Sequence, residues 1–207
     1  MTHTRFIMVR HGETEWNKER RVTGQLDSAL TILGMQQMRQ LAERLKRVGF
    51  DLLYSSDLGR ATFSAEMISK RCSKPMFVDP RLREQHSGIF QGLTNKTIMA
   101  LHPREKEALR KIGLEYIVPK GESLKQCLAR IIDCLEELAL KHPGCNVVIV
   151  THKSALKGLL QHVLEIPFAS ARRIKQPNGA INVFIYTNSG WFLETWGDVS
   201  HLESLEK

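Results

Sequence analysis

Two histidines stand at the ends of short apolar runs. Phe6-Ile7-Met8-Val9 leads into Arg10-His11-Gly12, and Asn146 to Val150 leads into Thr151-His152. Apolar runs of this length, stopped by polar residues, read as buried strands. In open α/β sheets, ligands collect at the carboxyl ends of the strands, so both imidazoles could converge on one crevice. A helix beginning at Ser154 would add free backbone N–H groups and the positive end of its dipole, which suits an anion. Asp57 and Arg60 follow a third run, Leu52-Leu53-Tyr54-Ser55, and Glu84 adds a carboxyl group. Each has a plain role when taken alone. A lone histidine after a strand is more often a hydrogen-bonded structural residue, Arg60 a solvated helix charge and Glu84 a surface carboxylate. Only the set points to chemistry.

The elements that must position this set follow from the pattern of apolar residues. Arg5 to Val9, Asp51 to Ser55, Pro75 to Val78 and Asn146 to Val150 read as strands. Helices are expected over Thr31 to Val48, about Leu58 to Arg71, Ser123 to about Lys141 and Ser154 to Leu164. Thr31 can cap the first of these and Gly49 suits its end. Ser123-Leu124-Lys125-Gln126 matches a capping box. Thr94 to Lys111 is helical but broken at His102-Pro103. Asn182 to Tyr186 and Trp191 to Trp196 read as a hairpin around Asn188-Ser189-Gly190, placed at the sheet edge. Alternating strands and helices give an α/β class. Residues 1–207 are expected to be a single domain, with a lid-like insertion over about 85–121.

Composition narrows the function classes. The chain has 207 residues, 42% hydrophobic and 25% charged, with 30 basic against 22 acidic side chains, a formal net charge of +8. Such a surface attracts anions. The basic residues are scattered (Arg20, Arg21, Lys46, Lys70, Arg104, Lys125, Arg172), with no zinc-finger spacing and no basic run interleaved with aromatics. A small anionic substrate therefore explains the charge better than nucleic acid. Cys72, Cys127, Cys134 and Cys145 form no CxxC pair and suggest no disulfide framework. No signal peptide and no membrane-spanning run are expected, and the location expected is cytoplasmic.

Five ordered blocks carry a resemblance. Arg10-His11-Gly12-Glu13-Thr14, Trp16-Asn17, Thr23-Gly24-Gln25-Leu26-Asp27, Leu30-Thr31, Gly34 and Gln37 form the first. Tyr54-Ser55-Ser56-Asp57-Leu58 with Arg60-Ala61 is the second. Leu82-Arg83-Glu84 with Gly88 and Gln91-Gly92 is the third, Gly121-Glu122-Ser123 the fourth and Thr151-His152 the last. Together they resemble the histidine phosphatase superfamily, which includes the cofactor-dependent phosphoglycerate mutases, from about Phe6 to Leu160. The resemblance implies a three-layer α/β/α fold with a central, mostly parallel sheet, phosphoglycerate mutase-like.

It also implies roles. His11 would be the nucleophile, forming a phosphohistidine that divides one hard displacement into two easier ones. Arg10, Arg60 and His152 would surround the phosphoryl group, with Asn17 donating a further hydrogen bond; arginine's planar fork suits phosphate oxygens. Glu84 would be the general acid, giving a proton to the leaving alkoxide and then activating water. Thr23 and Gly24 belong to the same substrate-binding stretch. Gln25, Arg83 and Lys153 are candidates for contacting the rest of the substrate. No metal-ligand spacing is present, and the family chemistry needs neither metal nor cofactor.

Departures from the family pattern bear on specificity. Lys153 stands where glycine often follows the second histidine; its amine either points toward a substrate anion or lies along the crevice rim. Lys120 and Phe63-Ser64 also differ from the usual residues. The reading favoured is a phosphomonoester hydrolase acting on a small phosphorylated metabolite, with a phosphorylated carboxylic acid favoured by the basic surplus. Phosphoglycerate mutase is the alternative, since a mutase must keep water off its phosphohistidine. A non-catalytic phospho-ligand binding protein is more remote. Relatives include homodimers, and the terminal hairpin offers an edge at which two copies could pair.

Overall fold

A computed structural model describes residues 3–205. In chain order its elements are β1 (Thr4–Arg10), α1 (Glu15–Lys18), α2 (Ile32–Val48), β2 (Leu52–Ser55), α3 (Gly59–Cys72), β3 (Met76–Val78), α4 (Asn95–Leu101) and α5 (Pro103–Ile112). They continue with α6 (Leu124–Lys141), β4 (Asn146–Thr151), α7 (Lys153–Leu164), α8 (Phe168–Ala171), β5 (Ile181–Thr187) and β6 (Gly190–Asp198). The strands form one six-stranded sheet in the order β3-β2-β4-β1-β5-β6. The first four run parallel; β5 is antiparallel to β1, and β6 to β5.

The middle strands are apolar because both faces of the sheet are covered. Successive side chains alternate between the two faces. Phe6, Met8, Val147 and Ile149 pack with Ile131, Leu135, Leu156 and Leu159 of α6 and α7. Ile7, Val9, Val148 and Val150 pack on the other side with Met38, Leu41 and Leu45 of α2 and Ala61, Ala65 and Ile68 of α3. The result is the three-layer α/β/α arrangement with a mostly parallel sheet. In register, Arg10 lies beside Thr151, so β1 and β4 end together and release His11 and His152 at the same edge.

The expected helices form where the sequence places them, and two are started by the side chains read as their caps. Thr31 accepts from Gly34 N, and Ser123 and Gln126 complete a reciprocal capping box. Each such cap is worth about 1 kcal/mol. The short α1 gave no periodic signal, yet Thr14 and Asn17 cap it reciprocally. Over about 85–121 the chain forms α4 and α5, separated at His102-Pro103, with a small apolar cluster of its own around Phe90, Ile98 and Val118. That segment is tied down by Val22 N donating to Leu93 O and Gly92 N donating to Val22 O. Among the described residues, no helix is long and apolar enough to cross a membrane.

One close approach fixes the loop after β1. The N-terminus of α2 lies directly on residues 12 and 13. A Cβ on Gly12 would sit 2.6 Å from Gly34 O, and one on Gly34 would collide with the Glu13 backbone. Thr31 N also donates to Glu13 O at 2.9 Å. Only glycine at both positions lets helix and loop touch through bare main chain.

Candidate active site

A crevice of about 480 Å³ opens at the carboxyl ends of β1 and β4. Its lining includes Arg10, His11, Asn17, Thr23, Gly24, Arg60, Glu84 and Lys153, brought from elements far apart in the chain. His11 leaves β1 with its backbone N–H on Thr151 O at 3.1 Å. His11 is 4% exposed. Nδ1 lies 2.8 Å from Gly12 O, and a carbonyl can only accept, so Nδ1 carries the hydrogen. Nε2 therefore keeps its lone pair. Arg60 Nε donates to that atom at 3.3 Å.

The positive groups are fixed by backbone carbonyls. Arg60, from the first turn of α3, donates to Leu26 O and Gly24 O at 2.7 Å each and to Asp27 Oδ1 at 3.1 Å. Arg10 donates to Gln176 O at 2.5 Å, and its Nε has no partner among the described residues. Burial pushes the Arg10 guanidinium down to about 10 and lowers that of Arg60, which leaves both cationic at neutral pH. Burial, followed by the charges of Arg60 and Arg10, holds His11 well below the usual histidine range. The ring is neutral and nucleophilic at physiological pH.

His152 stands at the N-cap position of α7 without a side-chain capping hydrogen bond, is completely buried and, contrary to expectation, does not line the crevice. Its ring centroid lies 5.2 Å from that of His11. Nε2 pairs with Ser56 Oγ at 2.9 Å, and Nδ1 has no partner among the described residues. Burial first, then Arg60, also holds this imidazole well below its ordinary value. Asn17 Oδ1 accepts from Thr14 N at 3.3 Å and from Asn178 Nδ2 at 3.0 Å. These two donors fix the amide orientation and leave the Asn17 NH₂ as a donor to the crevice.

Glu84 accepts from Gln85 N at 2.8 Å and Ser154 N at 3.1 Å. The start of α7 thus holds the protein's own Glu84 carboxyl group through Ser154 N, which corrects the expectation that this N–H waits for a substrate anion. Arg130 clamps the loop carrying Glu84, donating to the carbonyls of Arg81, Arg83 and Glu84 at 2.6, 2.7 and 2.9 Å.

Two expected substrate contacts lie elsewhere. Arg83 is drawn away by a two-pronged ion pair with Asp57, its Nε 2.7 Å from Oδ1, and does not line the crevice. Gln25 donates through Nε2 to Glu84 O at 3.1 Å, so it supports the loop instead of facing the crevice. Reasoning from sequence also missed several residues. Asn178 and Ser56 touch the site's own groups, and Arg20, Arg21 and Asn95 join the lining. Pro177-Asn178-Gly179 has turn-type residues that could have pointed to a loop there, but not to its partners. Arg20-Arg21 was visible only as charge.

A profile of the histidine phosphatase superfamily (branch 1) matches residues 6–199. The chain belongs to the histidine phosphatase superfamily. The chain is 40% identical over 207 residues to a probable phosphoglycerate mutase of Proteus mirabilis, across 96% of this chain and 94% of that one. Its fold resembles a mycobacterial glucosyl-3-phosphoglycerate phosphatase, at TM-score 0.83 and 32% identity over 93% of this chain and 98% of the other. It also resembles a phosphoserine phosphatase of Entamoeba histolytica bound to phosphoserine, at TM-score 0.86 and 26% identity, covering 96% and 99%. The crevice at the ends of β1 and β4 is lined by residues of the first three blocks, while Gly121-Glu122-Ser123 and Thr151-His152 do not line it.

Proposed function

We propose that the protein hydrolyses a small phosphomonoester through a phosphohistidine on His11. The observation that carries this reading is the state of one ring: neutral, hydrogen held at Nδ1 by Gly12 O, and Nε2 left with a lone pair among arginines. The Nε2 lone pair attacks phosphorus as the ester P–O bond breaks. Glu84 passes a proton to the departing alkoxide. In the second step Glu84 takes a proton from water, whose oxygen attacks phosphorus; the P–N bond breaks and inorganic phosphate leaves. Arg10, Arg60 and Asn17 hold the equatorial oxygens throughout, with the buried His152 ring packed behind that of His11. Their fixed charges supply the electrostatic stabilisation, and the proposed reaction uses no metal.

Hydrolysis is favoured over mutase chemistry because the crevice is wet at its rim. Arg20, Arg21 and Lys153 all line it and are all exposed. A mutase must close that rim against water. The relative named as a probable phosphoglycerate mutase keeps the second reading in play. Both phosphatases resembled are named for substrates in which a phosphate ester accompanies a carboxylate, which supports a phosphorylated carboxylic acid here. Four free cysteines suit a reducing, cytoplasmic location.

Incubation with 3-phosphoglycerate separates the readings. Release of inorganic phosphate, with acid-labile phosphate trapped on His11, is the expected result. Clean formation of the 2-phospho isomer without phosphate release would overturn the hydrolase reading.

A further inference from the structure

Past the last strand the sequence reads Gly197-Asp198-Val199-Ser200-His201-Leu202. Asp198 Oδ1 accepts from Ser200 N at 2.9 Å, a side-chain turn that leads into a 3-10 helix over Ser200–Leu205. Arg44 of α2 fastens this segment to the main fold. It forms an ion pair with Asp198 and donates to Ser200 Oγ at 2.8 Å. Leu202 is buried, and its Cδ1 would lie 3.4 Å from a Cβ placed on Gly179. The segment therefore packs against the loop that joins α8 to β5.

That loop supports the main chain of two active-site residues. Gly179 N donates to Arg10 O at 3.0 Å, and Asn178 Nδ2 donates to His11 O at 3.0 Å. Gly179 turns the loop at φ +71°, a conformation that glycine adopts without strain. Because the carbonyls of positions 10 and 11 are both tied to it, a shift of the loop moves the backbone from which the His11 ring projects.

His201 meets the loop at this point. Its Nε2 lies 3.1 Å from Gly179 O, and a carbonyl can only accept, so Nε2 carries the hydrogen. Nδ1 then accepts from Arg44 Nη1 at 3.3 Å. Burial, then the charge of Arg44, brings the ring to about 4, so this single neutral form holds at physiological pH. Trp196 Nε1 donates to Lys175 O at 2.9 Å and pins the earlier part of the same loop. A chain of contacts thus runs from Arg44 through His201 and Gly179 to the main chain of the reactive histidine.

We propose that His201 is a positioning residue for phosphoryl transfer: by donating to Gly179 O it fixes Asn178-Gly179, and these fix the backbone that aims His11. Its side chain touches neither the substrate nor the reacting atoms. The proposal rests on the phosphatase reading, which makes His11 the attacking group.

The test measures hydrolysis of 3-phosphoglycerate and p-nitrophenyl phosphate, well below the melting temperature of each variant. His201→Ala should lower kcat/KM about tenfold on both esters, less than the ~10²-fold that a 1 Å misplacement of a reacting group costs. His201→Gln, whose amide N–H can reach Gly179 O, should return it to within about threefold of wild type. His201→Phe keeps a ring without the N–H; it should match His201→Ala, and it replaces that variant if alanine prevents folding. Alanine and phenylalanine variants that melt earlier but keep wild-type kcat/KM overturn the proposal, as does a glutamine variant as slow as they are. If the wild type hydrolyses neither ester, the phosphatase reading fails by itself, and histidine ¹⁵N–¹H spectra decide the positioning alone. His11 signals displaced in His201→Phe and restored in His201→Gln support it. Signals unaltered in the phenylalanine variant, or displaced alike in both, overturn it.

Discussion

Arg60 Nε donates to His11 Nε2 at 3.3 Å, so the cation suited to hold a phosphoryl group already touches the atom suited to attack it. The other guanidinium nitrogens rest on Gly24 O, Leu26 O and Asp27. Arriving phosphate oxygens can take over Nε while those carbonyls keep the group in place. Removing a preorganised donor of this kind costs about 10²–10³-fold in turnover. Arg60→Ala should lose that much in kcat/KM for a phosphomonoester. Arg60→Lys should recover little, because one ammonium cannot span the same acceptors. Steady-state kinetics check this, and a loss below tenfold for Arg60→Ala contradicts the role.

Asn178 is placed to act through its neighbours. Its Nδ2 donates both to His11 O and to Asn17 Oδ1, each at 3.0 Å. Without it, the Asn17 amide is free to turn its oxygen toward the crevice, where it would repel a phosphate. Asn178→Ala should lower kcat/KM about tenfold and cost about 1 kcal/mol of stability, the net worth of a typical hydrogen bond. A Tm loss with unaltered kinetics would show a purely structural contact.

Acid should weaken the fold in a defined window. Burial lowers the proton affinity of His11 and His152 well below the ordinary value of 6.5, and brings His201 to about 4. In the unfolded chain these rings take up protons as the pH falls through about 6.5, while the folded rings stay neutral. Stability is therefore complete above that pH and is lost progressively below it. Melting temperatures from pH 8 to pH 5 should fall on the acid side, and His201→Gln should flatten part of the slope. A level profile over that range would sink the argument.

The sequence was most legible where local chemistry and burial agree. Phe6 to Val9 and Asn146 to Val150 are apolar because two helical layers cover them, so their strand assignment was direct. Ser123 and Gln126 announced α6 by their capping chemistry alone. Arg10, His11, Arg60 and Glu84 could be named because ordered motifs fixed them, and one crevice receives all four. Arg83 shows the limit of that reasoning. Its motif position looked functional, but a carboxylate 26 residues earlier, Asp57, reaches it first. Asn178 shows the opposite failure, since its partners Asn17 and His11 lie more than 160 positions away. Contacts set by tertiary proximity leave no trace in local spacing.

The glycine pair at positions 12 and 34 has a broader consequence. Where helix and loop meet through bare main chain, that part of the imidazole's seating depends on backbone contact and not on the identity of a facing side chain. Amino acids at the mouth can then be exchanged freely, as lysine for glycine at position 153 illustrates, without tilting the attacking nitrogen. Such separation lets a lineage explore new phosphorylated molecules while retaining one unvarying reaction.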